Sequence, residues 1–327
     1  MDLSTPPPSG WNTIARKLGY TMAVVLGLLI IVFSVFAQRD IPIATMQLKY
    51  GNASSKYMPL MGMQVHYRSL GDSNDHNPLV FIHGTSSSLH TWDSLTTLLL
   101  KKMPHKRIIS MDLPAFGLTG PSPENNYIAP YYPNFIDSFL SALHINKCIL
   151  GGNSLGGSIA WQYAVVHPQK VSQLILLDAG GYPLKNEKGS LGFTLAKMPV
   201  VNKLLLYITP KSLIRKSLET VFYDQSLITE EVVTRYHEMT LREGNRKAML
   251  SLFTHPYKVN VEVIKTITVP TLIIWGEQDQ VIAVDNAYLF KKDIANSRLL
   301  ILPNVGHIPM EEAPLKTAEA ILAFMNH

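Results

Sequence analysis

The chain of 327 residues contains a single cysteine, Cys148. That scarcity excludes an internal disulfide framework, a four-cysteine zinc site and a cysteine-ligated iron–sulfur cluster. It leaves the redox compartment open. Cys148 sits in an apolar run and reads as a small apolar filler. Charge is thin as well: Asp, Glu, Lys and Arg make up 16% of the residues, and the formal net charge is +5. The basic residues gather no further than Lys101-Lys102 and His105-Lys106-Arg107. Without Lys and Arg interleaved with aromatics to track a phosphate backbone, nucleic acid is not an expected partner. The 20 Gly and 21 Pro show no collagen-like or low-complexity bias, and an apolar share of 46% excludes wholesale disorder.

Charge is missing altogether over one long stretch. Leu18 to Ala37 reads LGYTMAVVLGLLIIVFSVFA, twenty residues without a charged side chain. As a helix it spans about 30 Å, the thickness of a bilayer's hydrocarbon core. Arg16 and Lys17 precede it, and Arg39 and Asp40 follow. The slight positive excess on the N-terminal side predicts a single-pass anchor with residues 1–17 in the cytoplasm and the body outside it, periplasmic in a Gram-negative bacterium. A signal peptide cleaved after Val35-Phe36-Ala37 competes, but the run exceeds the roughly 7–15 residues of a signal core. A buried core helix would show a polar face, and this segment has none. Ser4-Thr5-Pro6-Pro7-Pro8-Ser9-Gly10 reads as a disordered tail.

Beyond a linker at residues 38–62, short apolar runs alternate with helical stretches. Met63 to Tyr67 reads as an edge strand. Leu79 to Ile82 ends at His83-Gly84, Arg107 to Met111 at Asp112, and Cys148 to Leu150 at Gly151-Gly152. Leu174 to Leu177 ends at Asp178, Thr271 to Trp275 at Gly276, and Arg298 to Leu302 at Pro303. Near-continuous apolar strands with helices between them predict an α/β fold, a mostly parallel sheet covered on both faces. Ligands then bind beyond the carboxyl ends of the strands. Residues 63–181 and 269–327 form this core. Residues 182–268 show helical patterns only, interrupted by Pro199 and Pro210, with a helix start at Thr229-Glu230-Glu231. A stretch that long is no loop, and it reads as a helical cap inserted before the penultimate strand.

Gly152-Asn153-Ser154-Leu155-Gly156 matches G-x-S-x-G, with a strand leading in and a helical stretch leading out. Such a bend crowds neighbouring backbones, so Gly152 and Gly156 flank the serine and its hydroxyl rises into the cleft. A serine hydroxyl needs a base. His307, after the last strand, is the candidate, with Gly306 letting its loop approach the serine. His167 before Pro168 and His255 in the cap fit less well. The imidazole needs a carboxylate. Asp279 is favoured, Asp178 competes, and Glu277 reads as a solvated turn residue. An oxyanion requires two aimed donors, expected from the backbone N–H groups of Leu155 and Thr85, with His83 and Gly84 supporting the Thr85 loop.

Together His83-Gly84, the Ser154 bend, Asp279 and His307 resemble the α/β-hydrolase superfamily, over roughly Met63 to Met325. Ser88-Leu89-His90-Thr91-Trp92-Asp93 and Gly152-Asn153-Ser154-Leu155-Gly156-Gly157 are similar to the capped bacterial serine esterase/lipase branch and to membrane-anchored monoacylglycerol-lipase-like hydrolases. Asp112 to Thr119 resembles the family's D-x-P-G-x-G-x-S loop, with Ala115 and Thr119 replacing Gly and Ser. Related dehalogenases and epoxide hydrolases carry Asp where Ser154 stands. The resemblance implies cleavage of carboxylic esters without metal or cofactor, on small-molecule ester or lipid substrates such as monoacylglycerols. A C–C bond hydrolase, a cofactor-free haloperoxidase or an acyltransferase would use the same triad. A non-catalytic ligand-binding member would lack part of it.

Overall fold

Strands that are apolar on both faces need cover on both sides, and the chain supplies it with helices. The computed structural model describes residues 10–183, 191–198, 201–254 and 259–326. Its strands are β1 Ser55–Leu60, β2 Met63–Leu70, β3 Leu79–Ile82, β4 Ile108–Met111, β5 Cys148–Asn153, β6 Val171–Leu177, β7 Thr271–Gly276 and β8 Ser297–Leu302. They form one sheet in the order β1-β2-β4-β3-β5-β6-β7-β8. β2 runs antiparallel to both its neighbours, and from β4 to β8 every pairing is parallel.

Side chains alternate between the two faces. Val80 and Ile82 of β3 join a core with Phe135 and Phe139 of helix α4 (Tyr131–Ala142), Trp161 of α5 (Leu155–Val166) and Phe290 of α11 (Asp285–Asp293). Leu79 and Phe81 join the opposite core, with Leu95 and Leu99 of α3 (Asp93–Lys102) and Ile321 of α13 (Pro314–Met325). Cys148 is fully buried in the first core, and burial pushes its thiol up to about 12.

The stretch expected as linker is structured. It holds α2 (Ile43–Tyr50) and β1, so the Met63 strand is second in the sheet and β1 forms the edge. β1 is half-exposed along its length and contains Pro59, which an edge strand tolerates and which hides its pattern. The N-terminal segment is helix α1 (Gly10–Phe36), within which Ile14–Phe36 has a mean hydropathy of 2.4 and is long and apolar enough to cross a membrane. The proline-rich tail lies outside the described residues.

Between β6 and β7 the described residues form α6 (Leu191–Lys197), α7 (Val201–Leu204), α8 (Lys211–Val221), α9 (Glu230–Leu241) and α10 (Asn245–Thr254). Thr229 caps α9, its side chain accepting from Val232 N–H at 3.2 Å. This insertion is tied to the end of α1. Arg246 of α10 donates to Asp40 at 2.6 and 3.0 Å and to the Gln38 carbonyl at 2.8 Å, and the rings of Phe33 and Tyr207 lie 5.7 Å apart.

One buried carboxylate organises the loops after β3 and β4. Asp112 accepts from Leu89 N–H, Leu118 N–H and His66 Nδ1, each at 2.7 Å. Ala115 keeps a φ of 81° there, a conformation that suits glycine, and the Thr119 hydroxyl donates to the Asp112 carbonyl at 2.9 Å. Both departures from the family pattern therefore leave this loop hydrogen-bonded. Burial alone would push the Asp112 carboxyl up. The His66, His83 and His90 rings outweigh it and hold the group well below the usual carboxylate range. A depressed carboxylate stabilises the fold above its unfolded value, and that contribution is lost as pH falls through the folded value. Asp112→Ala is therefore expected to lower the unfolding free energy by about 3–5 kcal/mol, measured by urea denaturation in detergent. The gap from wild type should be full above about pH 4 and narrow below it.

Candidate active site

At the end of β5 the chain turns directly into α5, and Ser154 occupies the turn with φ 54° and ψ −116°. A Cβ on Gly152 would lie 2.2 Å from the Gly156 carbonyl, and one on Gly156 would lie 2.1 Å from the Ile82 carbonyl. These contacts are the crowding expected from the motif: two backbones share space that a methyl group would fill.

Ser154 lines a cavity of about 150 Å³ together with Gly84, Thr85, Asn153 and His307. The rest of the wall is largely apolar, with Leu205, Leu206, Ile214, Leu218, Met249 and Phe253 contributed by the insertion. His307 is buried, and its Nδ1 lies 2.7 Å from Asp279 Oδ2. With that carboxylate accepting, the ring hydrogen sits on Nδ1 and Nε2 is free to take a proton. Asp279 Oδ1 accepts from Val281 N–H at 2.7 Å and Ile282 N–H at 3.0 Å, so the carboxylate is anchored on its far side. Among the described residues no hydrogen bond joins Ser154 to His307.

The expected supporting residues separate into clear positions. Leu155 is the first residue of α5. His83 is fully buried. Its Nε2 accepts from Leu113 N–H at 2.9 Å, which leaves Nδ1 to donate to the Gly84 carbonyl at 2.7 Å. Burial lowers its tendency to take a second proton, so it braces the Thr85 loop as a neutral ring. Glu277 is exposed. The His167 ring lies tilted against that of Tyr163 at the far end of α5, with centroids 4.7 Å apart, and His255 lies outside the described residues. Gly306 is used differently from the expectation. A Cβ there would meet the Val221 carbonyl at 2.4 Å and Tyr223 N at 2.8 Å, so its small size admits the insertion and not the serine.

Two contributors were not visible in the sequence. Asn153, the variable residue of the motif, donates to the His307 carbonyl at 2.9 Å and to the Leu177 carbonyl at 3.2 Å. Glu312, in α12 (Pro309–Glu312), accepts from Gly306 N–H at 2.8 Å and from Tyr223 and Asp224 N–H at 2.8 and 3.1 Å. Glu312 has one sequence signal, the Glu311-Glu312 pair in the single turn of α12 just past His307, and Asn153 has none. Asp178, Asp279 and His307 each bring one ligand-type atom within 4.8 Å of the others. The atoms of Asp279 and His307 that face each other are already engaged in their mutual hydrogen bond.

A family model described as alpha/beta hydrolase fold matches residues 77–314. The chain belongs to that family. It is 30% identical over 261 residues to the hydrolase YugF of Bacillus subtilis, covering 80% of this chain and 92% of the relative. It is 28% identical over 282 residues to a monoacylglycerol lipase of Homo sapiens, covering 81% and 83%. In structure it is similar to a meta-cleavage product hydrolase of Pseudomonas fluorescens, with a TM-score of 0.72, 25% identity, and coverage of 84% of this chain and 99% of that one. The chain is thus a hydrolase by family, with Ser154, Asp279 and His307 beyond the carboxyl ends of β5, β7 and β8. Gly156→Ala is expected to cost at least about 2 kcal/mol by overpacking the contact between α5 and the end of β3, read as a lowered melting temperature with weakened labelling of Ser154 by a fluorophosphonate.

Proposed function

We propose that this α/β-hydrolase is a serine hydrolase of carboxylic esters with short apolar acyl groups, anchored at a membrane by α1. The observation that carries the reading is the opening of Ser154 and an Asp279-bonded His307 into one apolar-walled cavity. Ser154 Oγ attacks the ester carbonyl while His307 Nε2 takes its proton, and Asp279 stabilises the resulting imidazolium. The backbone N–H groups of Thr85 and Leu155 receive the oxyanion. His307 returns the proton to the leaving alcohol, and a water molecule, deprotonated by the same ring, releases the acid from Ser154.

The cavity wall sets the acyl preference. An apolar-walled cavity of about 150 Å³ holds a hydrocarbon of roughly six carbons. On its wall, Arg246 pairs Nε and Nη2 with Asp40 and the Gln38 carbonyl, while its Nη1 meets no hydrogen-bond partner among the described residues. Against p-nitrophenyl esters of graded length, kcat/KM should peak at about six acyl carbons. Ser154→Ala should abolish hydrolysis and fluorophosphonate labelling, and Asp279→Asn should lower kcat by about 10⁴-fold. Equal hydrolysis by wild type and Ser154→Ala would end the reading. The likeness to a meta-cleavage product hydrolase carries a second reading, C–C bond hydrolysis with the same residues. Faster turnover of a chromogenic ring-cleavage dienoate than of any ester would select it.

The membrane part of the reading rests on α1 and its surroundings. Leu204 and Tyr207 of the insertion are about half exposed, and Tyr207 touches the end of α1, so apolar surface continues from the anchor towards the cavity wall. The N-terminus is placed in the cytoplasm and the body on the opposite side. The full chain should remain in the membrane pellet after alkaline carbonate extraction, and an externally active reporter fused after the last residue should be on. Release by carbonate or a silent reporter would reject the anchor or its orientation.

A further inference from the structure

Asp279 takes three hydrogen bonds. Oδ1 accepts from Val281 and Ile282 N–H, and Oδ2 from His307 Nδ1. Asp178, at the end of the neighbouring strand β6, is the opposite case. It is fully buried, its Oδ1 accepts from Gly276 N–H at 2.9 Å, and its Oδ2 meets no donor among the described residues. The two carboxyl groups nevertheless face each other, an oxygen of each lying within 4.8 Å of the other. Two carboxylates hold only acceptors, so a hydrogen bond between them forms only if one of them carries a hydrogen. Partner count decides which. Three donors aim at Asp279 and one at Asp178, so Asp279 is the acceptor and the bare Oδ2 of Asp178 is the O–H.

We propose that Asp178 is a positioning residue: its carboxyl O–H donates to the Asp279 carboxylate and holds it in line with His307. The inference rests on the triad of the proposed function. Its surroundings agree with it. Burial first, and then the facing Asp279 charge, push the Asp178 carboxyl well above its ordinary value, and Glu312 adds to this while Gly276 N–H works against it. The ionisable groups that face Asp178 are Asp279 from the loop after β7, His307 from the loop after β8 and Glu312 from α12. An extra negative charge there would repel Asp279, whereas a neutral donor steadies it.

The test compares Asp178→Ala and Asp178→Asn in the full-length, detergent-solubilised chain. An asparagine keeps both contacts, with its carbonyl accepting from Gly276 and its amide donating to Asp279. Asp178→Ala should lose about 10–100-fold in kcat with KM unchanged, and Asp178→Asn should restore most of that loss. The acid-side limb of the kcat/KM profile should coincide in wild type and Asp178→Asn. Folding of wild type takes up a proton at Asp178, so its stability falls as pH rises above the ordinary carboxylate range. The melting temperature of Asp178→Asn should therefore exceed that of wild type by a growing margin between pH 5 and pH 8. Full kcat in Asp178→Ala would overturn the proposal. So would an Asp178→Asn profile whose acid limb moves by about a unit or more, the signature of a lost charge beside His307. If Asp178→Ala does not fold, the Asp178→Asn profile and melting curve still decide. Fluorophosphonate labelling of wild type keeps the two claims apart: a labelled wild type with unaffected variants rejects Asp178 alone, and an unlabelled wild type rejects the triad.

Discussion

Where β5 runs into α5, the Gly156 Cα and the Ile82 carbonyl are so close that even a methyl group has no room. That contact leaves the chain one way to turn, and it lifts Ser154 out of the strand with a positive φ of 54°. A serine held in this part of backbone space is strained, and surrounding structure must hold it there. The Ser158 N–H and Gly180 N–H both bond the Ser154 carbonyl, at 3.0 and 2.9 Å, and Ser154 N–H bonds the Leu177 carbonyl at 3.1 Å. Backbone crowding and these hydrogen bonds together hold the bend that carries the Ser154 side chain.

His307 and its partner Asp279 are tied to this bend. Asn153, one residue before the serine, grips the carbonyl of His307, so serine and imidazole are linked through the backbone before either meets a substrate. The same histidine donates its own N–H to the Val221 carbonyl of α8 at 2.8 Å, and Glu312 clasps the backbone of Tyr223 and Asp224. Arg235 and Tyr236 of α9 reach across to Glu311 at 2.7 Å each, where Thr91 also donates. The floor and the roof of the cavity thus meet at the histidine loop, and a displacement of the helical insertion bears directly on the imidazole.

Legibility in the sequence followed burial. β3, β5, β6 and β7 carry apolar side chains on both faces, so their positions and the parallel sheet could be read directly. β1 is half-exposed and interrupted by Pro59, and nothing in its pattern separated it from a linker. The positions of Ser154, Asp279 and His307 were readable because each follows a strand end, in the chain order of the α/β-hydrolase fold. Asn153 and Glu312 were not. Their roles arise from buried polar groups meeting across long sequence separations, as with the bond between positions 153 and 307, and no local pattern encodes such a meeting. Gly306 was assigned the right property for the wrong neighbour, since a missing Cβ shows that something comes close without showing what.

The scarcity of sulfur has a practical side. The lone thiol, Cys148, is packed inside the sheet, and burial holds it in the protonated form far above physiological pH. Alkylating reagents act on the exposed thiolate, so the native chain is close to silent towards maleimides. A cysteine introduced on the insertion, or at the junction with α1, would carry a fluorophore or spin label with no background. The molecule is in effect pre-adapted for measuring whether the insertion moves relative to α1.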